Sequence, residues 1–125
     1  MLELTLAGGR SAPGLARTAL RSLNGSLAGL GHSVRLLVTE LVTNAVKHAG
    51  TGPDRMVRVK LECSSGHVRG EVIDDGPGFE PRQGRRIDPV EDGFGLTLVD
   101  QLADRWGVDV NEGTRVWFEI DREAV

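Results

Sequence analysis

Cysteine and the aromatic residues are nearly missing from this chain. Cys63 is the sole cysteine in 125 residues, so no internal disulfide can form. No Cys-x-x-Cys pair or His/Cys cluster marks a structural zinc site. Three Phe, two Trp and no Tyr leave most of a core to aliphatic side chains. No apolar run approaches the roughly eighteen residues of a membrane-spanning helix. The first residues, MLELTLAGGR, lack the basic and then apolar regions of a secretory leader. Charge of one sign is also scarce: 15 basic against 18 acidic residues leave a net charge of −3. That balance removes any global electrostatic reason to bind nucleic acid or an anionic membrane. The expectation is a cytoplasmic domain with neither as a direct partner.

Glycine, by contrast, is abundant. Its 17 of 125 positions are about twice the usual share of ~7% and show no collagen period. A chain of this length suits one domain over residues 1–125, burying about two-thirds of its unfolded surface. Leu2, Leu4 and Leu6 alternate with polar residues as in a short strand. Leu15, Ala19 and Leu23 recur at helical spacing after Ser11. A glycine-rich turn over 24–31 leads to Ser33, a candidate N-cap. Val34, Leu37, Val38, Leu41, Val42 and Ala45 then form a wide apolar stripe, which Gly50-Thr51-Gly52-Pro53 ends. Val57 to Cys63 and Val68 to Ile73 alternate as an antiparallel pair across a turn at Ser64–His67. A polar loop spans Phe79 to Asp92. Leu96, Val99, Leu102 and Ala103 predict a helix ending near Trp106-Gly107, and Val108 to Ile120 predicts two closing strands. Together these elements predict an α/β (α+β) two-layer sandwich, its sheet mixed but mostly antiparallel, with helices on one face.

Four local patterns carry chemistry. Glu40, Asn44, Lys47 and His48 share one side of the long helix, since residues four and seven or eight apart are neighbours there. An asparagine oxygen is a hard ligand suited to Mg²⁺, and a nearby carboxylate can take a proton from a hydroxyl; taken alone, the cluster also reads as a solvated face. Asp74-Asp75-Gly76-Pro77-Gly78 closes a strand: Asp74 can accept from an exocyclic amine, and Gly76 and Gly78 let a flat base approach the backbone. By itself that run is an ordinary tight turn. Asp92-Gly93-Phe94-Gly95-Leu96 enters a helix whose first N–H groups suit phosphates, although it matches neither a P-loop nor a dinucleotide fingerprint. Gly113-Thr114 precedes the last strand, where the hydroxyl can support the same aspartate and base.

In this order the four patterns resemble the N, G1 and G2 boxes and closing Gly-Thr of the GHKL ATPase superfamily, over roughly residues 36–120. The resemblance implies a Bergerat-type sandwich. Glu40 to Ala49, Gly95 to Val99, Ala103 to Gly107 and Gly113 to Phe118 are similar to the anti-sigma-factor serine/threonine kinase branch. It further implies ATP and Mg²⁺ as cofactors, with Asn44 on the metal and Asp74 on the adenine amine. Gly76 and Gly78 would flank the base and Thr114 would assist its recognition. Gly93 and Gly95 would let the loop close over the phosphates, with N–H groups from Leu96 onward and Lys47 or His48 nearby. Glu40 would be the general base. The implied partners are a sigma factor and an anti-anti-sigma (STAS-type) protein phosphorylated on serine or threonine. A non-catalytic, nucleotide-dependent or degenerate binding module is the alternative. Trp117 falls on the wet side of its strand, with Arg58, Lys60, Arg69 and Glu71. It reads either as an interface anchor, in a homodimer or against a partner, or as a ring covered by neighbouring aliphatic stems.

Overall fold

The structure, a computed structural model, describes residues 2–7, 9, 11–21, 30–48, 56–64, 66–74, 96–110 and 113–121, with the backbone alone at 47, 48 and 110. Strand β1 (Leu2–Ala7) is followed by helices α1 (Ala12–Leu20) and α2 (Gly31–His48). Strands β2 (Met56–Cys63) and β3 (His67–Asp74) form the expected hairpin. Helix α3 (Thr97–Leu102) then leads to β4 (Arg105–Val110) and β5 (Thr114–Asp121). The sheet runs β1-β2-β3-β5-β4. Every pairing in it is antiparallel, the limiting case of the mostly antiparallel sheet expected.

Strict alternation decides which side chains face the helices. Val57, Val59 and Leu61 on β2, Val68 and Val72 on β3, and Phe118 and Ile120 on β5 are buried against Val34, Leu37, Val38, Leu41 and Val42 of α2. Gly70 faces Phe118 across the β3–β5 ladder. A methyl group there would meet the Phe118 ring at under 3.0 Å, so this glycine makes room for the largest buried side chain. Gly113 differs: its φ of 126° lies in the left-handed region, just before β5 begins.

Three local expectations are corrected. Helix α1 buries Ala12, Ala16 and Leu20, while Leu15 is 51% exposed. Two alanines allow a close approach to α2 that a leucine stripe would prevent. Helix α2 begins at Gly31, so Ser33 lies inside its first turn and is not the cap. Helix α3 ends at Leu102, and Trp106-Gly107 belongs to β4. The chain leaves the helix at Ala103, which is extended (ψ 145°), and the Asp104 N–H donates to the Glu119 carbonyl at 2.9 Å, which starts the β4–β5 pairing.

The other face of the sheet carries no described helix and is laced with ion pairs. Arg69 bonds Glu71 at 3.0 Å and Glu119 at 3.3 Å, Arg105 bonds Asp121 through both nitrogens, and Arg115 bonds Asp109 at 2.6 Å. The Arg105 hydrogen bonds hold the Asp121 carboxyl below its ordinary pKa. Trp117 lies half-buried in this lattice, with the Arg69 guanidinium 4.6 Å from its ring centroid. Its indole rests over Gly107, where a methyl would sit 2.7 Å from Nε1.

Candidate nucleotide site

The described candidate residues lie on helix α2, at the ends of β3 and β5 and just before α3. Asp74, the last residue of β3, pairs in register with Thr114, the first residue of β5. Partners in an antiparallel ladder share a face, and here it is the face that α2 covers. Asp74 is 3% exposed and is the one buried charged side chain among the described residues. A carboxylate at such depth is costly without a polar partner, and Asp74 is not without one in the chain itself. Among the described residues, three buried polar side-chain atoms have no hydrogen-bond partner, and two belong to candidate residues: Asn44 Nδ2 and Thr114 Oγ1. The third, Thr39 Oγ1, lies five residues before Asn44, a rotation of about 140° around the helix, and stands apart from them.

Glu40 and Asn44, both half-buried, are one turn apart on α2 and share a flank, as their spacing predicts. The backbone of α2 continues through Lys47 and His48, whose side chains are not described. Gly76, Gly78, Gly93 and Gly95 lie outside the described residues. Leu96, where the Gly-x-Gly-Leu motif ends, is buried against the core just before α3. Patterns in the chain did not single out Asp100, and they gave Trp106 no role at the site. Trp106 Nε1 donates to Asp100 Oδ1 at 3.0 Å, linking α3 to β4. Their pairing across a helix-to-strand junction was hidden while Trp106 read as the end of the helix.

The donors present suit a nucleotide. A buried carboxylate beside a buried unmatched hydroxyl can take up the edge of a base carrying an amine and a ring nitrogen. One asparagine oxygen is also enough protein for Mg²⁺, which keeps waters and substrate phosphates as its other ligands.

Fold and site together define a two-layer α+β sandwich with a buried carboxylate and an unmatched hydroxyl at one end of its central strands. A sequence model described as the histidine kinase-like ATPase domain matches residues 11–120. The chain belongs to this family of ATP-binding domains. It is similar, at 38% identity over 73 residues, to an uncharacterised protein of Streptomyces coelicolor, a match covering 58% of this chain and 69% of that one. Its fold is similar to the histidine kinase domain of the blue-light-activated histidine kinase of Erythrobacter litoralis, with a TM-score of 0.54 and 23% identity over 91% of this chain. That match spans 65% of the solved domain. Among the described residues, no helix is long and apolar enough to cross a membrane.

Proposed function

We propose that this chain is an ATP-binding anti-sigma regulatory factor that phosphorylates an anti-anti-sigma protein on serine or threonine and sequesters a sigma factor. The observation that carries the nucleotide reading is Asp74, a buried carboxylate in register with the unmatched Thr114 hydroxyl at the end of the central ladder. In this reading Asp74 accepts from the adenine amine and Thr114 bonds the same base edge. Asn44 holds Mg²⁺ through its side-chain oxygen, and its unmatched Nδ2 is left to donate to a phosphate oxygen. Gly76 and Gly78 border the base, while Gly93, Gly95 and Leu96 lie on the phosphate side with Lys47 or His48.

Bound Mg²⁺ would neutralise charge on the β- and γ-phosphates, so positioning and electrostatics do most of the work. The partner's hydroxyl oxygen attacks the γ-phosphorus, ADP departs with the electrons of the broken bond, and the Glu40 carboxylate takes the hydroxyl proton. The motif wording of Glu40 to Ala49 and of Gly113 to Phe118 supports the anti-sigma branch.

Calorimetric titration with ATP, with and without Mg²⁺, tests the site. Wild type binds in both conditions and more tightly with Mg²⁺. Asp74→Asn loses most binding, and Asn44→Ala loses the Mg²⁺ enhancement. Absence of heat for wild type in either condition refutes the nucleotide reading. Transfer from γ-labelled ATP to an anti-anti-sigma protein, abolished by Glu40→Ala, tests the kinase. Binding without transfer would favour the non-catalytic module.

A further inference from the structure

Helix α3 is six residues long, far too short to hold its shape alone in water. Leu96 and Val99 anchor it in the core. One further tie comes from the sheet. Trp106 stands opposite Phe118 in the β4–β5 register, on the helix-covered face, and its indole N–H reaches Asp100 Oδ1 at 3.0 Å. The Asp100 backbone N–H in turn donates to the Leu96 carbonyl at 3.0 Å. Asp100 therefore joins the sheet to the residue at which the Gly-x-Gly-Leu motif ends. Leucine packing resists separation of helix and sheet but tolerates sliding and rotation. A directed hydrogen bond between an indole and a carboxylate fixes both.

We infer that Asp100 and Trp106 are a positioning pair for nucleotide binding: through Asp100, the Trp106 indole holds Leu96 where the phosphate side of the site requires it. This rests on the nucleotide reading given above. Neither residue touches the nucleotide in that reading, and neither lies in the N, G1 or G2 pattern or the closing Gly-Thr that suggested it. Asp100 is exposed, so replacing it opens no cavity.

Three variants separate positioning from charge and from folding. Asp100→Asn keeps an acceptor oxygen for the indole and drops the charge. Asp100→Ala drops both, and Trp106→Phe keeps a ring but loses the N–H. Binding of ATP and of adenosine, which lacks phosphates, is measured for each well below its Tm. One hydrogen bond corresponds to about a fivefold change in affinity. Asp100→Ala and Trp106→Phe are expected to weaken ATP about fivefold with adenosine affinity unchanged, while Asp100→Asn stays within about twofold of wild type. Equal ATP affinity for Asp100→Ala and Asp100→Asn, or a parallel loss of adenosine and ATP, overturns the inference and marks the pair as structural only. A wild type that binds neither compound instead refutes the nucleotide reading, and the inference with it.

Discussion

Thr114→Val should improve folding and impair binding, and the opposite signs make it a demanding test. The Thr114 hydroxyl is buried without a hydrogen-bond partner. A buried polar group left unmatched costs about 1–3 kcal/mol, and replacing it with an apolar group of the same shape removes that cost. Valine matches threonine in shape and suits a strand equally well. Thr114 as a whole is only half-buried, so the low end of that range applies. A gain of about 1 kcal/mol raises Tm by about 4 °C in a domain of this size. With nucleotide present the balance reverses, because the lost hydroxyl removes one hydrogen bond to the base. That loss is about 0.5–1.5 kcal/mol, or about two- to thirteenfold in affinity. The assay is thermal unfolding without ligand and again with saturating Mg·ATP. The variant should melt above wild type in the first condition and lose part of the ligand-induced shift in the second. A lower Tm without ligand would show that the hydroxyl serves the folded chain itself. An unchanged ligand shift would remove Thr114 from the site.

Two further outcomes follow from the packing and the charges. Gly70→Ala should lower Tm, because its methyl meets the fully buried Phe118 ring at under 3.0 Å. Overpacking of this kind costs about 1–3 kcal/mol, and Phe118→Leu in the same chain should recover part of the loss. A neutral Gly70→Ala would contradict the proposed packing. Asp121→Asn tests the open face. Hydrogen bonds from Arg105 lower the Asp121 pKa in the folded chain. Its stabilising contribution is therefore present above the unfolded carboxyl pKa of about 3.9 and is lost as pH falls through the lower folded value. The Tm difference between wild type and Asp121→Asn should be fullest near pH 6, narrow below about pH 4, and shrink in high salt at any pH. A difference that grows on acidification would refute the assignment.

The chain's periodicity made the sheet readable because each strand has one wet and one dry face. Val57, Val59 and Leu61 against Arg58 and Lys60 leave a single consistent orientation, and Glu40 with Asn44 needed only helical spacing. Helix α1 was misread for a physical reason. Hydrophobicity ranks Leu15 above Ala12 and Ala16, but the separation between α1 and α2 selects the smaller residues. The α3–β4 boundary was misread because Trp106-Gly107 resembles a helix end, whereas the glycine is the seat of the Trp117 ring. Both strand glycines under aromatic rings depend on a neighbouring strand, and nothing local in the chain records that neighbour. The same holds for Asp100 and Trp106. The motif glycines 76, 78, 93 and 95 lie outside the described residues, so that half of the expected site stands on its resemblance.

The β3–β5 ladder fixes the strand residues of the site from both faces of the sheet. At one end it pairs Asp74 with Thr114 beneath α2, and at the other it pairs His67 with Asp121. Between them, Glu71, Trp117 and Glu119 face outward into the ion-pair lattice, while Val72, Val116 and Phe118 face the core. Each strand is thus fixed on both faces, and the carboxylate at its end inherits that position without help from a loop. The unmatched Asn44 amide and Thr114 hydroxyl both reduce the stability of the fold without ligand. A core that needed only to fold would replace them with apolar residues of equal volume. Retaining two unmatched groups, one on α2 and one at the start of β5, is the pattern of a prepared polar site, where a ligand supplies the missing hydrogen bonds.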